Sequence, residues 1–176
     1  MAGFIVPIPS DAIITDLSDR NLSGMNLIGS CLTNADLSGA NLTDADLSGS
    51  HLVGANLTGA NLTGALLTGA WMAGANLSGA NLTGASVNRT DLAHSYLAGA
   101  NLTGAYLADA NLTGAYLADA NLTGANLTGA NLTGSYLNRA NLTGASFIDA
   151  ELTDADLTGA KLAGANFTGT IRDVQA

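Results

Sequence analysis

The chain has little of what most folds and functional sites are built from. Its 176 residues include one cysteine, two prolines and one tryptophan, and only 11% of them are charged. A single cysteine excludes a disulfide framework. Five Lys and Arg stand against 14 Asp and Glu, for a net charge of -9, which argues against direct binding of nucleic acid. The hydrophobic share of 47% excludes an acidic disordered chain.

Targeting and membrane segments are not expected either. The N-terminus lacks a basic region, and Pro7 and Pro9 interrupt its apolar run, unlike a secretory signal. Residues 47–88 contain no Asp, Glu, Lys or Arg. However, this stretch is rich in Asn, Thr and Gly rather than in the bulky apolar residues of a membrane span. We therefore expect a cytoplasmic protein that does not contact a membrane.

What the chain has in abundance is a repeat of five residues. Every fifth residue from Leu17 to Phe167 is apolar, and 27 of these 31 central positions are Leu. Most pentads read Ala, Asn or Asp, the central residue, Ser or Thr, and then Gly. A helix would scatter the central residues around its surface, because five residues advance about 140° beyond a full turn. A flat strand would turn successive central residues to opposite faces.

The glycine resolves this conflict, because it tolerates the positive φ of a tight turn once per pentad. Between turns, Ala and the central residue are two positions apart and point the same way. The repeat therefore predicts a solenoid of short strands and corners. Its interior is filled by Leu and Ala, while Asn or Asp, Ser or Thr and Gly face outward.

Tandem pentads such as residues 55–59, Ala-Asn-Leu-Thr-Gly, and the identical residues 120–124 resemble the pentapeptide-repeat family. The resemblance covers residues 15–169 and implies an all-β fold. In that fold, a right-handed quadrilateral β-helix, four pentads form each coil, which gives about eight coils from 31 pentads. Residues 1–14 are expected to form an N-terminal cap, and residues 170–176 a short C-terminal tail. We expect this tail to cover the last coil poorly and a homodimer to form through the exposed end coil.

Ten corners lack glycine. Seven of them carry Asp or Asn, which tolerate a left-handed backbone. The other three, Arg89, His94 and Arg139, are irregular corners that either use another turn type or are strained. Arg89 and His94 lie in consecutive pentads. This irregular place is either neutral variation or a feature that a partner recognises.

Residues 20 apart should stack in columns along four faces. One column is a run of seven Asn residues ended by Lys161, which predicts a hydrogen-bonded ladder. Another contains Tyr96, Tyr116 and Tyr136, whose rings would stack. The stack either serves stability alone or forms a binding surface, since Tyr is enriched at interfaces. The candidate partner surface comprises Tyr96, Tyr116, Tyr136, Trp71, Asp16, Asp36 and Asp156.

Chemistry beyond binding is not indicated. Cys31 and His51 would lie one coil apart, but two ligands are too few for a structural zinc site. We expect no metal site, no cofactor, no catalytic residues and no pocket on a convex rod. The sequence therefore predicts a non-enzymatic interaction rod with an unknown protein partner. The alternative is a DNA-mimicking binder of DNA gyrase that protects it from quinolones. That activity is implied by the family resemblance and by the acidic charge.

Overall fold

The computed structural model describes residues 16–171, so the expected N-terminal cap at residues 1–14 and tail residues 172–176 lie outside the described residues. No helix occurs within residues 16–171. Isolated parallel bridges join every fifth residue to the residue 20 positions later, from Asp16 with Asp36 to Glu151 with Ile171. Four pentads therefore complete one coil, and the fold is the all-β, right-handed quadrilateral β-helix that the resemblance implies.

A β-turn redirects the chain at each corner. In residues 57–60, the Ala60 N–H donates to the Leu57 carbonyl oxygen at 3.0 Å. Gly59, the third residue of this turn, has a φ of 66°. Such a positive φ is the conformation that favours glycine, and it accounts for the period of the repeat.

Successive coils are joined through the backbone. The Leu57 N–H donates to the Asn76 carbonyl at 2.7 Å, and the Gly59 N–H to the Ser78 carbonyl at 3.0 Å. In the opposite direction, the Asn56 N–H donates to the Ala35 carbonyl at 2.9 Å. Three of the five N–H groups of a pentad are thus paired between coils, and a fourth is used by the turn. This pairing satisfies the polar backbone without any long strand.

The interior is a continuous column of leucine and alanine. Central residues from Leu27 to Leu152 are fully or almost fully buried, as are the alanines two positions before them. Burial of each leucine side chain stabilises the folded state by roughly 1.5–3 kcal/mol. At the ends of the described coils the column opens, because Leu17 and Leu22 are only partly buried and Leu162 is exposed.

The polar residues of the repeat bond to one another within each pentad, which the sequence analysis did not predict. The Asn56 Oδ1 accepts the Thr58 N–H at 3.2 Å and the Thr58 hydroxyl at 2.7 Å. This Asx turn explains why Asn or Asp precedes Ser or Thr by two positions. An aromatic residue offers no such acceptor. Two residues after an aromatic residue, the position that is usually Ser or Thr is often Ala. This is the case after Trp71, Tyr96, Tyr106 and Tyr116.

Corners without glycine keep the same turn. Arg89, His94 and Arg139 have φ values of 56°, 56° and 59°, so of the two predicted possibilities the left-handed, strained one is present. A left-handed conformation costs a non-glycine residue roughly 1–2 kcal/mol. The seven Asp and Asn corners share it, with φ between 54° and 59°.

An Asp, Asn or His side chain at a corner also restricts the corner one coil later. A Cβ atom at Gly129 would lie 2.6 Å from the Asp109 Oδ1, and one at Gly114 would lie 2.6 Å from the His94 Nδ1. The following corner is glycine wherever the sequence has a non-glycine corner, with two exceptions among residues 16–171. At the two exceptions, the corner one coil after Arg89 is Asp109, and the corner one coil after Asp119 is Arg139. Both exceptions are pairs of opposite charge.

Candidate functional site

Four outward faces follow from the coil of 20 residues. Three are named by a residue of their bridge column, and the fourth by a surface cleft that lies beside it. The tyrosine face carries Asp16, Asp36, Asn56, Asn76, Tyr96, Tyr116, Tyr136 and Asp156. The asparagine face carries Asn21, Asn41, Asn61, Asn81, Asn101, Asn121, Asn141 and Lys161. The cleft face carries Asn26, Asp46, Leu66, Ser86, Tyr106, Asn126, Ser146 and Asn166. The tryptophan face carries Cys31, His51, Trp71, Asp91, Asn111, Asn131, Glu151 and Ile171.

The tyrosine face contains a stack of three rings, as the 20-residue spacing predicts. The ring centroids of Tyr96 and Tyr116 are 5.1 Å apart, and those of Tyr116 and Tyr136 are 5.0 Å apart. The planes deviate from parallel by 6° and 5°. The three side chains are nevertheless 48%, 40% and 45% exposed. Since the ring faces cover one another, the stack presents ring edges and phenol hydroxyls at the surface.

Carboxylates lie on both sides of this stack along the tyrosine face. The Asp36 Oδ1 accepts the Ser38 N–H and hydroxyl at 3.0 and 2.6 Å. These hydrogen bonds lower the pKa of Asp36, and equivalent bonds from Ser18 and Thr158 lower the pKa of Asp16 and Asp156. Asp156 directly follows Tyr136 in the column. The face therefore places fixed negative charge beside aromatic surface.

The asparagine face instead closes its polar groups on itself. The Asn81 Nδ2 donates to the Thr63 Oγ1 at 2.9 Å, and that hydroxyl donates to the Asn61 Oδ1 at 2.7 Å. The same relay links Asn61 to Asn41 through Thr43. Towards the C-terminus, it continues to Asn101 through Thr83 and to Asn121 through Thr103. The predicted ladder is thus hydrogen-bonded, but mainly through threonine. A direct amide contact of 3.2 Å joins Asn41 to Asn21.

The two arginine corners differ in how far they are neutralised. Arg139 donates two hydrogen bonds to the Asp119 carboxylate, from Nε to Oδ1 at 2.8 Å and from Nη2 to Oδ2. These bonds lower the pKa of Asp119 and raise that of Arg139. In contrast, Arg89 approaches Asp109 through one pair of atoms, Nε and Oδ2, at 3.7 Å. Arg89 therefore keeps most of its hydrogen-bonding capacity.

The tryptophan face brings together two of the other residues singled out by the sequence. Trp71 is 57% exposed, and its ring stacks on His51 at 5.0 Å with planes 4° apart. Cys31 lies one coil before His51 in this column. His94 lies at a corner, next to Gly114 of the following coil. Among residues 16–171, no three His, Cys, Asp or Glu side chains are grouped so that they would hold a metal ion. The same part of the chain has no helix able to cross a membrane.

The expectation that the rod has no pocket is wrong. A shallow cleft of about 400 Å³ lies beside the cleft face. It forms because small Ala108 replaces the usual Ser or Thr, while the larger side chains of Arg89 and Tyr106 border it. The lining residues are Thr68, Asn88, Arg89, Tyr106, Ala108, Asp109 and Asn126.

Of the predicted irregular corners, Arg89 borders the cleft, whereas His94 and Arg139 do not. Sequence reasoning missed Tyr106 and Asp109 as members of a site. The 20-residue spacing places Asp109 one coil after Arg89, so the sequence could have predicted that these two side chains are neighbours.

Comparisons with known proteins agree with this architecture. A profile of pentapeptide repeats matches the chain in eight copies, over residues 21–59, 40–74, 60–97, 95–134 and 135–171. No curated protein matches the chain significantly.

Among solved structures, HetL is a pentapeptide repeat protein involved in heterocyst differentiation regulation, from the cyanobacterium Nostoc sp. Strain PCC 7120. It is 41% identical to this chain, with a TM-score of 0.51, over 93% of this chain and 76% of HetL. QnrB1, a plasmid-mediated fluoroquinolone resistance protein, is 19% identical with a TM-score of 0.50, over 91% of this chain and 87% of QnrB1. At that identity the likeness concerns the fold alone. The repeat profile and the similarity to HetL cover most of the chain, which therefore belongs to the pentapeptide repeat family.

Proposed function

We propose that this protein is a non-enzymatic interaction rod that docks a protein partner on its tyrosine face. The observation that carries the proposal is the stack of Tyr96, Tyr116 and Tyr136, three parallel rings that are each about half exposed. Tyr is enriched at protein interfaces and among the residues that dominate binding energy. We also propose that the protein acts in the cytoplasm.

The stack is organised before any partner arrives. Each ring is held by its neighbour at 5.0–5.1 Å, and each is carried by a coil whose Leu is buried. Side chains that are already fixed lose little conformational freedom on binding, which favours affinity. Asp156, beside Tyr136, adds negative charge. The face is therefore suited to a partner segment with apolar and basic side chains.

HetL is described as involved in the regulation of heterocyst differentiation. We propose by similarity that this chain has a regulatory role, which it would exert by binding a protein partner. The 41% identity over 93% of the chain supports this proposal. Fold likeness alone would not, since one fold serves many functions.

The test is a matched pair of variants. In the first, Tyr96, Tyr116 and Tyr136 are all replaced by Asn, the residue found at this position in 14 of the other 28 pentads. In the control, Tyr106→Asn removes an exposed tyrosine from another face. We expect proteins from the native extract that bind the wild type to bind the control and to be lost from the triple variant. Equal retention by all three proteins contradicts the proposed docking face.

Association through the end coil is a further proposal. Leu162 and Ile171 are exposed at the C-terminal end of the described coils, and exposed strand ends promote association. Light scattering over a range of concentrations tests this proposal. A mass that rises to that of a dimer supports it, and a monomer mass at every concentration contradicts it.

The alternative of a DNA-mimicking gyrase binder rests on the net charge of -9. The carboxylates of the tyrosine face are split into two groups by Asn56, Asn76 and the ring stack, whereas a mimic of duplex DNA needs evenly spaced negative charge. A gyrase supercoiling assay with and without a quinolone distinguishes the two functions. Inhibition or protection by this protein favours mimicry, and no effect favours the interaction rod.

A further inference from the structure

We propose that the cleft lined by Arg89, Tyr106 and Asp109 is a second binding site, and that its ligand is a neutral saccharide. The cleft is lined by one aromatic ring, one guanidinium, one carboxylate and two amides, together with Thr68 and Ala108. It lies on a different face from the tyrosine stack, so this proposal does not depend on the proposed function.

Tyr106 differs from the other three tyrosines in what covers its ring. Its column neighbours are Ser86 and Asn126, and within residues 16–171 no ring stacks on it. The side chain is 53% exposed and lines the cleft. A tyrosine ring that stacks on no other aromatic ring can receive the C–H groups of a sugar ring, because a ring face is apolar and carries partial negative charge.

The two charged residues favour a neutral ligand. The Arg89 Nε and the Asp109 Oδ2 are 3.7 Å apart, which is longer than a hydrogen bond, so both groups can bond to a third molecule. An anion would face the Asp109 carboxylate, and a cation would face the Arg89 guanidinium. Two neighbouring hydroxyls suit the pair, since one donates to the carboxylate and the other accepts from the guanidinium. Vicinal hydroxyls of this kind are the defining feature of saccharides.

Both amides at the cleft are held in position. The Asn88 Oδ1 accepts the Ala108 N–H at 3.0 Å, and the Asn88 Nδ2 donates to the Ser86 hydroxyl at 3.1 Å. The Asn126 Oδ1 accepts the Thr128 N–H and hydroxyl at 3.1 and 2.7 Å. The Asn126 Nδ2 has no partner in the described part of the chain, so a fixed donor is available at one end of the cleft. Such preorganised polar groups give a shallow site its specificity.

The backbone beneath Arg89 supports a functional role for this residue. Arg89 holds a φ of 56° at a position where 21 of the 31 pentads have glycine. Strained residues of this kind concentrate at functional sites. Arg139 has the same strain, but its guanidinium is held by Asp119. The two arginines therefore form a matched pair in which one guanidinium is available and the other is not.

The experiment follows the amide resonances of Ala108, Asp109 and Asn126 by NMR during titration. The probes are glucose, galactose, mannose and N-acetylglucosamine, with acetate and tetramethylammonium as charged probes. The variants are Arg89→Gly and Tyr106→Asn, both of which restore common repeat residues. Arg139→Gly is the control outside the cleft.

We expect at least one sugar to shift these resonances saturably at millimolar concentration. Arg89→Gly and Tyr106→Asn should each weaken binding by about tenfold or more, and Arg139→Gly should leave it unchanged. The proposal is overturned if no sugar of the panel shifts these amides, or if only acetate or tetramethylammonium does. It is also overturned if either cleft variant binds the sugar as tightly as the wild type, or if Arg139→Gly weakens it equally.

Discussion

The tyrosine face and the asparagine face share one backbone and differ in what their side chains do. Both have bridges between residues 20 apart, and a buried leucine lies behind each of them in most coils. On the asparagine face, amides and hydroxyls bond to one another from Asn21 to Asn121. On the tyrosine face, the rings stack but leave their edges and hydroxyls exposed.

This difference separates folding from recognition. The interior and the backbone pairing specify the β-helix, so an outward column can change without changing the coil. A column whose polar groups are satisfied within the protein has little left to offer a partner. Binding is therefore expected where the repeat pattern is broken, at the tyrosine stack and at the cleft beside Tyr106.

The largest expected effect is the same on both faces. Leu117→Ala, behind the tyrosine face, and Leu122→Ala, behind the asparagine face, each remove a fully buried side chain. Each should lower the free energy of unfolding by about 2–5 kcal/mol, because a cavity remains. Urea denaturation measures both. A clearly larger loss at one of the two positions would contradict a common interior.

The triple Tyr96→Asn, Tyr116→Asn, Tyr136→Asn variant should fold. It loses two ring contacts, each worth about 0.5–1.5 kcal/mol, and keeps the backbone ladder. Circular dichroism and thermal melting measure the outcome. An unfolded triple variant would mean that the stack serves stability, and the comparison between the faces would then fail.

On the asparagine face, Asn81→Ala should break the relay. The Thr83 N–H and hydroxyl lose their acceptor, and the Thr63 hydroxyl loses its donor. The expected loss of unfolding free energy is about 1–2 kcal/mol. Asn81→Asp is the matched control, because it keeps the acceptor for Thr83 as Asp36 does for Ser38. Both variants lose the Asn81 Nδ2 bond to Thr63, so the difference between them measures the bonds from Thr83 alone. Equal stability of the two variants would mean that those bonds contribute nothing.

The corners after the asparagine face provide a finer test. Gly64 and Gly84 have φ values of 67° and 65°. A Cβ atom at Gly64 would collide with the Asp44 carboxylate, whereas one at Gly84 would meet nothing within 4 Å. Gly64→Ala should therefore cost about 0.5–1.5 kcal/mol more than Gly84→Ala, as Asp44 is pushed from its rotamer. In an Asp44→Gly background this difference in unfolding free energy should vanish, and its persistence would refute the explanation.

The smallest effect concerns pH at the corner next to the tyrosine face. Arg139 lowers the pKa of Asp119 below its ordinary value of 3.8. The ion pair therefore stabilises the fold above about pH 3.8, and this contribution is lost as the pH falls through the lowered pKa. The wild type should lose stability relative to Arg139→Gly over that range. In an Asp119→Asn background the difference should not vary with acidic pH, and a variation there would contradict the assignment.

The repeat itself predicted much of this structure. The period of five predicted the buried Leu and Ala and the glycine corners, and the 20-residue column predicted the stack at Tyr116. Four pentads per coil and the right hand came from the family resemblance, because periodicity does not fix the number of strands around a coil. The Asn61–Thr63 turn was missed since it depends on side-chain hydrogen bonds within a pentad. The cleft was missed because it requires both a small residue, Ala108, and large neighbours from adjacent coils.

The most direct test of the proposed docking face is site-specific photo-crosslinking in native extract. A benzophenone amino acid replaces Tyr116 in one variant and Asn121, five residues later on the asparagine face, in the other. The account predicts a discrete crosslinked adduct from position 116 and none from position 121. An adduct from position 121 alone, the same adducts from both positions, or no adduct from position 116 would contradict it.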